Sequence, residues 1–314
     1  MRSESNQLSS IEETLRTKYW HWEIHEPLEK ECSLESFLRQ HLPHISPESW
    51  PERYDFGGIY INGIRCPLQT TLYPPCKIEY YEPKFSIGDA HTIFPRFDSR
   101  HILYEDGLIA VVYKPAGLSS MPAKEQHHFS LKSAVERELK KTIHMPSRLD
   151  VSAQGIVVVS TAPKMHAKLQ QLFEERKVTK EYLCASLIVP SWQTQRVTLP
   201  ISRDPKHPVL RTTTARGGQP AETHFALLNT SEGASGLQAN LLARPITGRT
   251  HQIRVHASSI GVPLLGDRSY CGGTAEHLHL VSHSVSFYHP ENHTPFTYTV
   301  SKDLLPSWAK ACQP

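Results

Sequence analysis

The run Gly155-Ile156-Val157-Val158-Val159 leaves the chain few choices. An apolar, β-branched stretch without polar alternation reads as a strand buried inside a sheet, not one lying at its surface. Just ahead of it stands Arg148-Leu149-Asp150, which sets one carboxylate beside that strand. Most aspartates in loops cap a turn or face water. One held against a buried strand is a candidate nucleophile.

Strand-like pieces dominate the flanking sequence. Ile102-Leu103-Tyr104 and Leu108 to Tyr113 surround a turn at Glu105-Asp106-Gly107, and further strands are expected at Tyr182 to Val189, Thr223 to Asn229 and Leu237 to Ala243. Glu232 to Gly236 reads as a hairpin loop, and Arg216 to Pro220 as a flexible one. Leu131, Ala134, Val135 and Leu139 predict a helix. A second helix would be capped by Thr161, with Pro163 in its first turn and Met165, Leu169, Leu172 and Phe173 on one face. Ile253, Ala257 and Ile260 mark a third, ended by Gly261. Helices placed irregularly among strands predict an α+β domain on a mixed, largely antiparallel sheet.

Upstream, the helical spacing of Leu34, Phe37, Leu38 and Leu42 stops at Pro43. Gly58 to Ile61 meets the hairpin signal Asn62-Gly63, and Lys77 to Tyr81 reads as another strand. Pro83, Gly88 and Pro95 then interrupt any regular pattern. The expected division is an N-terminal module over 1–84, a linker over 85–100 and a larger domain over 101–314, with the first dozen residues frayed.

Composition narrows the classes of function. Net charge is only +3 over 314 residues, so a polyanion would have to meet a local basic surface and not a global field. Six cysteines without a C-x-x-C pair argue against a zinc ribbon or redox dithiol and fit a reducing compartment. No apolar stretch reaches membrane-span length and the N-terminus lacks a signal-peptide core, so the expected location is the cytoplasm, with no membrane partner. His277, His279 and His283 sit close together. His279, Val281 and His283 alternate as in a strand, however, and no acidic or Cys partner stands at ligand spacing, so no metal is expected.

Five ordered segments carry a family resemblance. Ser147-Arg148-Leu149-Asp150-Val151-Ser152-Ala153-Gln154-Gly155 resembles the H-R-L-D-x-x-T-S-G segment of the RluA-type family of RNA pseudouridine synthases. Thr247-Gly248-Arg249-Thr250-His251-Gln252-Ile253-Arg254-Val255-His256 is similar to that family's G-R-T-H-Q-I-R-V-H stretch. Tyr113 to Leu118, Lys180 to Leu183, and Gly261 to Asp267 running on to Tyr270 match in the family's order. The departures are Ser147 where the family usually has His, and Ala153-Gln154 for Thr-Ser. They point to a shifted substrate preference, not a dead site. Helix, hairpin and strand in the first 84 residues resemble the S4 RNA-binding module that precedes many such catalytic domains.

The resemblance implies a pseudouridine synthase fold and isomerisation of specific uridines to pseudouridine in structured RNA, either rRNA or tRNA. No metal, redox or nucleotide cofactor is implied. Asp150 would supply the carboxylate, attacking C1′ or acting as a base at C2′. Arg249 would pair with it and favour its ionised form. Tyr182 would stack on the uracil and could assist a proton transfer, while Arg148 would enter the RNA stack vacated by the extruded base. Lys114, His251 and Arg254 are the expected contacts to the RNA. An inactive RNA-binding protein on the same fold is the alternative, and retention of Asp150, Tyr182 and Arg249 speaks against it. A metal-dependent hydrolase using the histidines would leave five ordered segments to chance.

Overall fold

The computed structural model describes residues 19–28, 31–56, 58–82, 94–123, 129–234, 236–273 and 275–312. The expected frayed terminus and most of the expected linker lie outside the described residues. Contacts divide the chain into two compact units, Met1–Phe94 with Met121–Ala134, and Pro95–Ser120 with Val135–Pro314.

In the first unit, β1 (Tyr19–Ile24), α1 (Leu34–His41), α2 (Trp50–Phe56), β2 (Gly58–Ile61), β3 (Ile64–Arg65) and β4 (Cys76–Tyr81) follow in order. The strands form an antiparallel sheet ordered β1-β4-β2-β3. Ser33 caps α1, its hydroxyl accepting from the Ser36 amide at 3.2 Å. The apolar stripe read from the sequence, Leu34, Phe37, Leu38 and Leu42, packs with Trp50, Ile59, Ile78 and Tyr80. Asn62 and Gly63 both adopt positive φ, at 49° and 77°, as a two-residue hairpin of the mirror-image type requires. The sequence reading missed β1, where half-buried Trp20, Trp22 and Ile24 alternate with exposed Tyr19, His21 and Glu23.

The second unit is built on β5 (Ile102–Glu105), β6 (Ile109–Lys114), β7 (Gln154–Ser160), β8 (Thr179–Ser186), β9 (Thr194–Val197), β10 (Ile201–Arg203), β11 (Arg211–Thr213), β12 (Thr223–Gly233), β13 (Gly236–Pro245), β14 (Leu280–Tyr288) and β15 (Pro295–Thr299). Helix α3 (Leu131–Leu139) precedes β7, α4 (Pro163–Glu174) follows it, and α5 (Gln252–Ser259) follows β13. The main sheet has nine strands in the order β5-β6-β7-β14-β8-β13-β12-β9, with β15 also on β14. Only the β7–β14 pair within it is parallel. The mixed, largely antiparallel α+β architecture is the one expected. A separate hairpin pairs β10 with β11.

Strand β7 is covered on both faces, as its unbroken apolar run requires. Ile156 and Val158 join Ile109, Val111, Met165, Leu169 and Val281 in one core, while Val157 and Val159 are buried on the opposite face. A second core gathers Tyr182, Leu241, Phe225, Ile253, Ala257 and Leu264, and so packs α5 against the sheet. Where β7 meets β14, Gly155 stands opposite Ser282 with φ +114°, and a Cβ there would lie 2.3 Å from the Ser282 carbonyl oxygen. No side chain fits. Ser282 in turn stands opposite Tyr182 on β8, so Gly155, Ser282 and Tyr182 line up across three neighbouring strands.

One cap differs from expectation. Helix α4 starts at Pro163 with Ala162 at its N-cap, and Thr161 caps nothing. The Thr161 amide extends the sheet by donating to the Leu108 carbonyl at 2.9 Å, which leaves its buried hydroxyl without a hydrogen-bond partner.

Candidate active site

Asp150 sits in the loop between α3 and β7, and that loop is held through its main chain. The Ser120 hydroxyl donates to the Leu149 carbonyl at 2.6 Å and accepts from the Leu149 amide at 3.0 Å. The Val151 carbonyl accepts from the Gly117 amide at 2.8 Å and from the Lys114 ammonium at 3.2 Å. Asp150 closes its own turn, its carbonyl accepting from the Ala153 amide at 3.1 Å. Gln154, one of the departures from the family pattern, accepts from the Tyr113 hydroxyl at 3.1 Å, and Ala153 is buried in the second core. Nothing in the structure explains Ser147.

Lys114, expected at the RNA backbone, is wholly buried instead. Its ammonium donates to the carbonyls of Pro115, Leu118 and Val151 at 3.0, 2.8 and 3.2 Å. Burial pulls its pKa down to about 7, against the opposing charge of Asp150. A lysine so enclosed joins two loops and cannot reach a phosphate.

The cation beside Asp150 is Arg254, not Arg249. Arg254 Nη1 donates to Asp150 Oδ2 at 3.2 Å, while Nε and Nη2 form a fork onto Oδ2 and Oδ1 of Asp267 at 2.7 and 2.8 Å. The Arg254 side chain is 8% exposed and that of Asp267 is fully buried, whereas Asp150 keeps 23%. One guanidinium thus presents two nitrogens to a structural carboxylate and a third to the accessible one. Burial alone would lower the arginine's pKa, but the hydrogen bonds and charge of Asp267 and the charge of Asp150 hold it above the usual range. Arg254 was expected to touch RNA, and its burial and pairing remove it from that role.

Arg249 makes no ion pair with Asp150. Its Nε donates to the Pro220 carbonyl at 3.1 Å, and its amide donates to Gln252 Oε1 at 3.0 Å. Gln252 is a buried hub that the sequence reading did not single out. Its Nε2 donates to the Glu222 carbonyl and Thr223 Oγ1, both at 2.9 Å, and its Oε1 also accepts from Thr247 Oγ1 at 2.6 Å. These bonds pin the entry to α5. His256 adds 2.9 Å contacts from its two ring nitrogens to Thr223 Oγ1 and the Leu199 carbonyl. Helix α5 is therefore fixed in rotation, with Arg254 turned inward toward Asp150.

The remaining expected site residues lie around this pair. Tyr182 is buried, and desolvation pushes its phenol up to about 12, with Ser282 acting downward and the Asp150 charge upward. The phenol is therefore protonated near neutral pH. Arg148 is exposed and makes no ion pair among the described residues. His251, in the left-handed conformation at φ 57° as the N-cap of α5, places Nε2 4.0 Å from Asp150 Oδ2. Tyr270, from the last matching segment, crosses beneath Arg254, whose guanidinium carbon is 5.0 Å from the ring centre. Among the described residues no group of three or more His, Cys, Asp or Glu could hold a metal ion. Of the histidines near Val281, His279 stacks on Trp308 with ring centres 4.6 Å apart, and exposed His277 lies 3.6 Å from Glu276. No helix among the described residues is long and apolar enough to cross a membrane.

Comparison with known proteins identifies the family. Residues 109–259 match the family described as RNA pseudouridylate synthase, a span that holds Asp150, Tyr182 and Arg254. The dual-specificity RNA pseudouridine synthase RluA of Salmonella typhimurium is 34% identical over 214 residues, covering 65% of this chain and 93% of that protein. RluA of Escherichia coli K12 is 33% identical with the same coverage. The solved structure of human RNA pseudouridylate synthase domain containing 1 has a TM-score of 0.58 at 22% identity, covering 69% of this chain and 90% of its own, which shows a shared fold. With a relative at that identity covered almost end to end, the chain belongs to the RluA-type family of RNA pseudouridine synthases.

Proposed function

We propose that this protein converts specific uridines to pseudouridine in structured RNA, ribosomal or transfer, with Asp150 as the catalytic carboxylate. The observation that carries the reading is the bridge of Arg254 between buried Asp267 and accessible Asp150. A guanidinium anchored on one carboxylate sets a positive charge beside the other and fixes where it points, before any RNA arrives.

The reaction breaks the bond between C1′ and N1, turns the base, joins C5 to C1′, releases the proton from C5 and leaves a proton on N1. Asp150 contributes either by bonding to C1′ or by removing the proton at C2′, and both routes need a carboxylate with a free lone pair. Tyr182, protonated near neutral pH, offers a ring face to the uracil and a proton to share. Exposed Arg148, two residues before Asp150, fits the gap that an extruded base leaves in the stack, since a planar guanidinium can occupy the space of a base. Chemistry of this kind calls for no metal, redox or nucleotide cofactor.

Residues 1–84 are assigned to an S4-like module that positions RNA and carries no catalytic group. Residues 19–82 hold ten Asp and Glu against five Lys and Arg, so this module contributes little phosphate neutralisation. Its part is one of shape. The cytoplasm is the assigned location.

Incubating purified protein with RNA containing 5-tritiated uridine, without added metal or nucleotide, should release label. Chemical mapping of pseudouridine in cells with and without the gene identifies the target. Absence of release from any cellular RNA would refute the reading.

A further inference from the structure

Hydrogen bonding around Tyr270 decides which ring nitrogen of His251 carries a proton. The backbone amide of Arg211 donates to the Tyr270 hydroxyl at 2.9 Å, and the same hydroxyl lies 2.8 Å from His251 Nδ1. An amide can only donate, so the Tyr270 oxygen is an acceptor on that side. Among the described residues Nδ1 is the one acceptor within reach of the hydroxyl proton, which therefore goes to the Nδ1 lone pair. Burial favours the neutral imidazole against the pull of Asp150, helped by the positive charges of Arg254 and Arg211. A neutral imidazole accepting at Nδ1 carries its proton on Nε2.

That Nε2–H faces Asp150 Oδ2 across 4.0 Å, too far for a direct hydrogen bond. Among the described residues Nε2 makes no hydrogen bond, and both side chains remain reachable, His251 at 11% and Asp150 at 23% exposure. One oxygen at about 2.8 Å from each atom would close the gap, accepting from the imidazole and donating to the carboxylate. A hydroxyl is the group with one proton to give and a lone pair to receive. In a nucleotide inside an RNA chain, the 3′ and 5′ oxygens are esterified and the ring oxygen has no proton. Only the 2′-hydroxyl qualifies, and it is attached to C2′ beside the carbon at which Asp150 must act.

We propose that His251 Nε2 and Asp150 Oδ2 bracket the 2′-hydroxyl of the target uridine, making His251 a substrate-binding residue that reads ribose and Tyr270 the positioning residue that fixes its tautomer. The proposal rests on the functional reading above and adds the atom that is recognised. It also gives the β10–β11 hairpin a share in the site, because the Arg211 amide on β11 sets the direction of the Tyr270 proton.

The test compares kcat/KM on two synthetic stem-loops that differ at one atom: one with the target uridine, the other with 2′-deoxyuridine at that position. Intrinsic reactivity differs between these substrates but cancels when enzymes are compared by the ribo-to-deoxy ratio. His251→Asn tolerates the left-handed backbone but does not reach the Nε2 position, and should lower the ratio about tenfold. His251→Gln restores an N–H near that position and should recover most of the ratio. Tyr270→Phe removes the proton that holds Nδ1, and should lower the ratio while leaving the fold intact. A wild-type ratio in His251→Asn, with turnover reduced equally on both stem-loops, would overturn the proposal and leave the isomerase reading standing. No label release by the wild type from any RNA would overturn both.

Discussion

Arg254→Met tests the centre of the site, because the change separates two functions of one guanidinium. Asp267 is fully buried and both of its oxygens are held by Arg254, so removing the guanidinium strands a carboxylate with no exposure. Breaking a buried pair on one side costs about 3–5 kcal/mol. Met keeps much of the apolar stem volume, so the cost is mainly electrostatic. Adding Asp267→Asn removes the stranded charge and should return most of that loss. Asp150 is not helped by this rescue, since it still lacks its cation. Turnover should stay down by about 10²–10³-fold, the scale seen when one preorganised electrostatic group is deleted. Urea unfolding midpoints and tritium release on wild type, both single variants and the double variant give the four corners of the cycle. A single Arg254→Met variant within about 1 kcal/mol of wild type, turning over within a few-fold of it, would refute the reasoning; so would a double variant that regained activity along with stability.

Asp150→Asn keeps the size of the side chain and removes its nucleophilicity. It should abolish tritium release while gel-shift affinity for RNA persists, since contacts to RNA are spread over many groups. Arg249→Ala should cost turnover at saturating RNA far less than Arg254→Met, because among the described residues the Arg249 side chain holds only the Pro220 carbonyl; equal losses would return Arg249 to the centre. Gly155→Ala should destabilise by about 3 kcal/mol or more, adding strain at φ +114° to a collision with the Ser282 carbonyl, and calorimetry that found it neutral would contradict the packing of β7 on β14. Lys114 has its pKa lowered to about 7, so between there and its ordinary value near 10.5 the unfolded chain binds the extra proton and stability rises with pH. Lys114→Met should flatten that rise by up to about 2 kcal/mol between pH 7 and 9 in urea titrations, and an unchanged slope would count against the buried amine.

Much of this site could be read from sequence, and the misreadings have physical causes. The buried strand and the carboxylate at its mouth follow from an apolar run without alternation. Arg249 and Arg254 share one segment, and choosing between them needed the phase of α5. Ile253 and Ala257 mark the inward face; Arg254 precedes Ala257 by three residues and so turns inward with them, whereas Arg249 lies before the helix begins. That signal was present in the sequence. The enclosure of Lys114 was not, because its three acceptors are backbone carbonyls from two loops and leave no trace in residue type. Gln252 belongs to the same class: its partners come from Glu222, Thr223, Thr247 and Arg249, and only the closed structure brings them together.

The loop carrying Asp150 is gripped through its main chain at Leu149 and Val151. Val151 is 53% exposed, and Ser147 and Arg148 stand outside the bonds that hold the turn. On the proposed function, chemistry and choice of target are thereby uncoupled within a few residues. Mutation can redraw the outward face of the loop, and with it the RNA that the loop accepts, while the carboxylate stays where the main chain puts it.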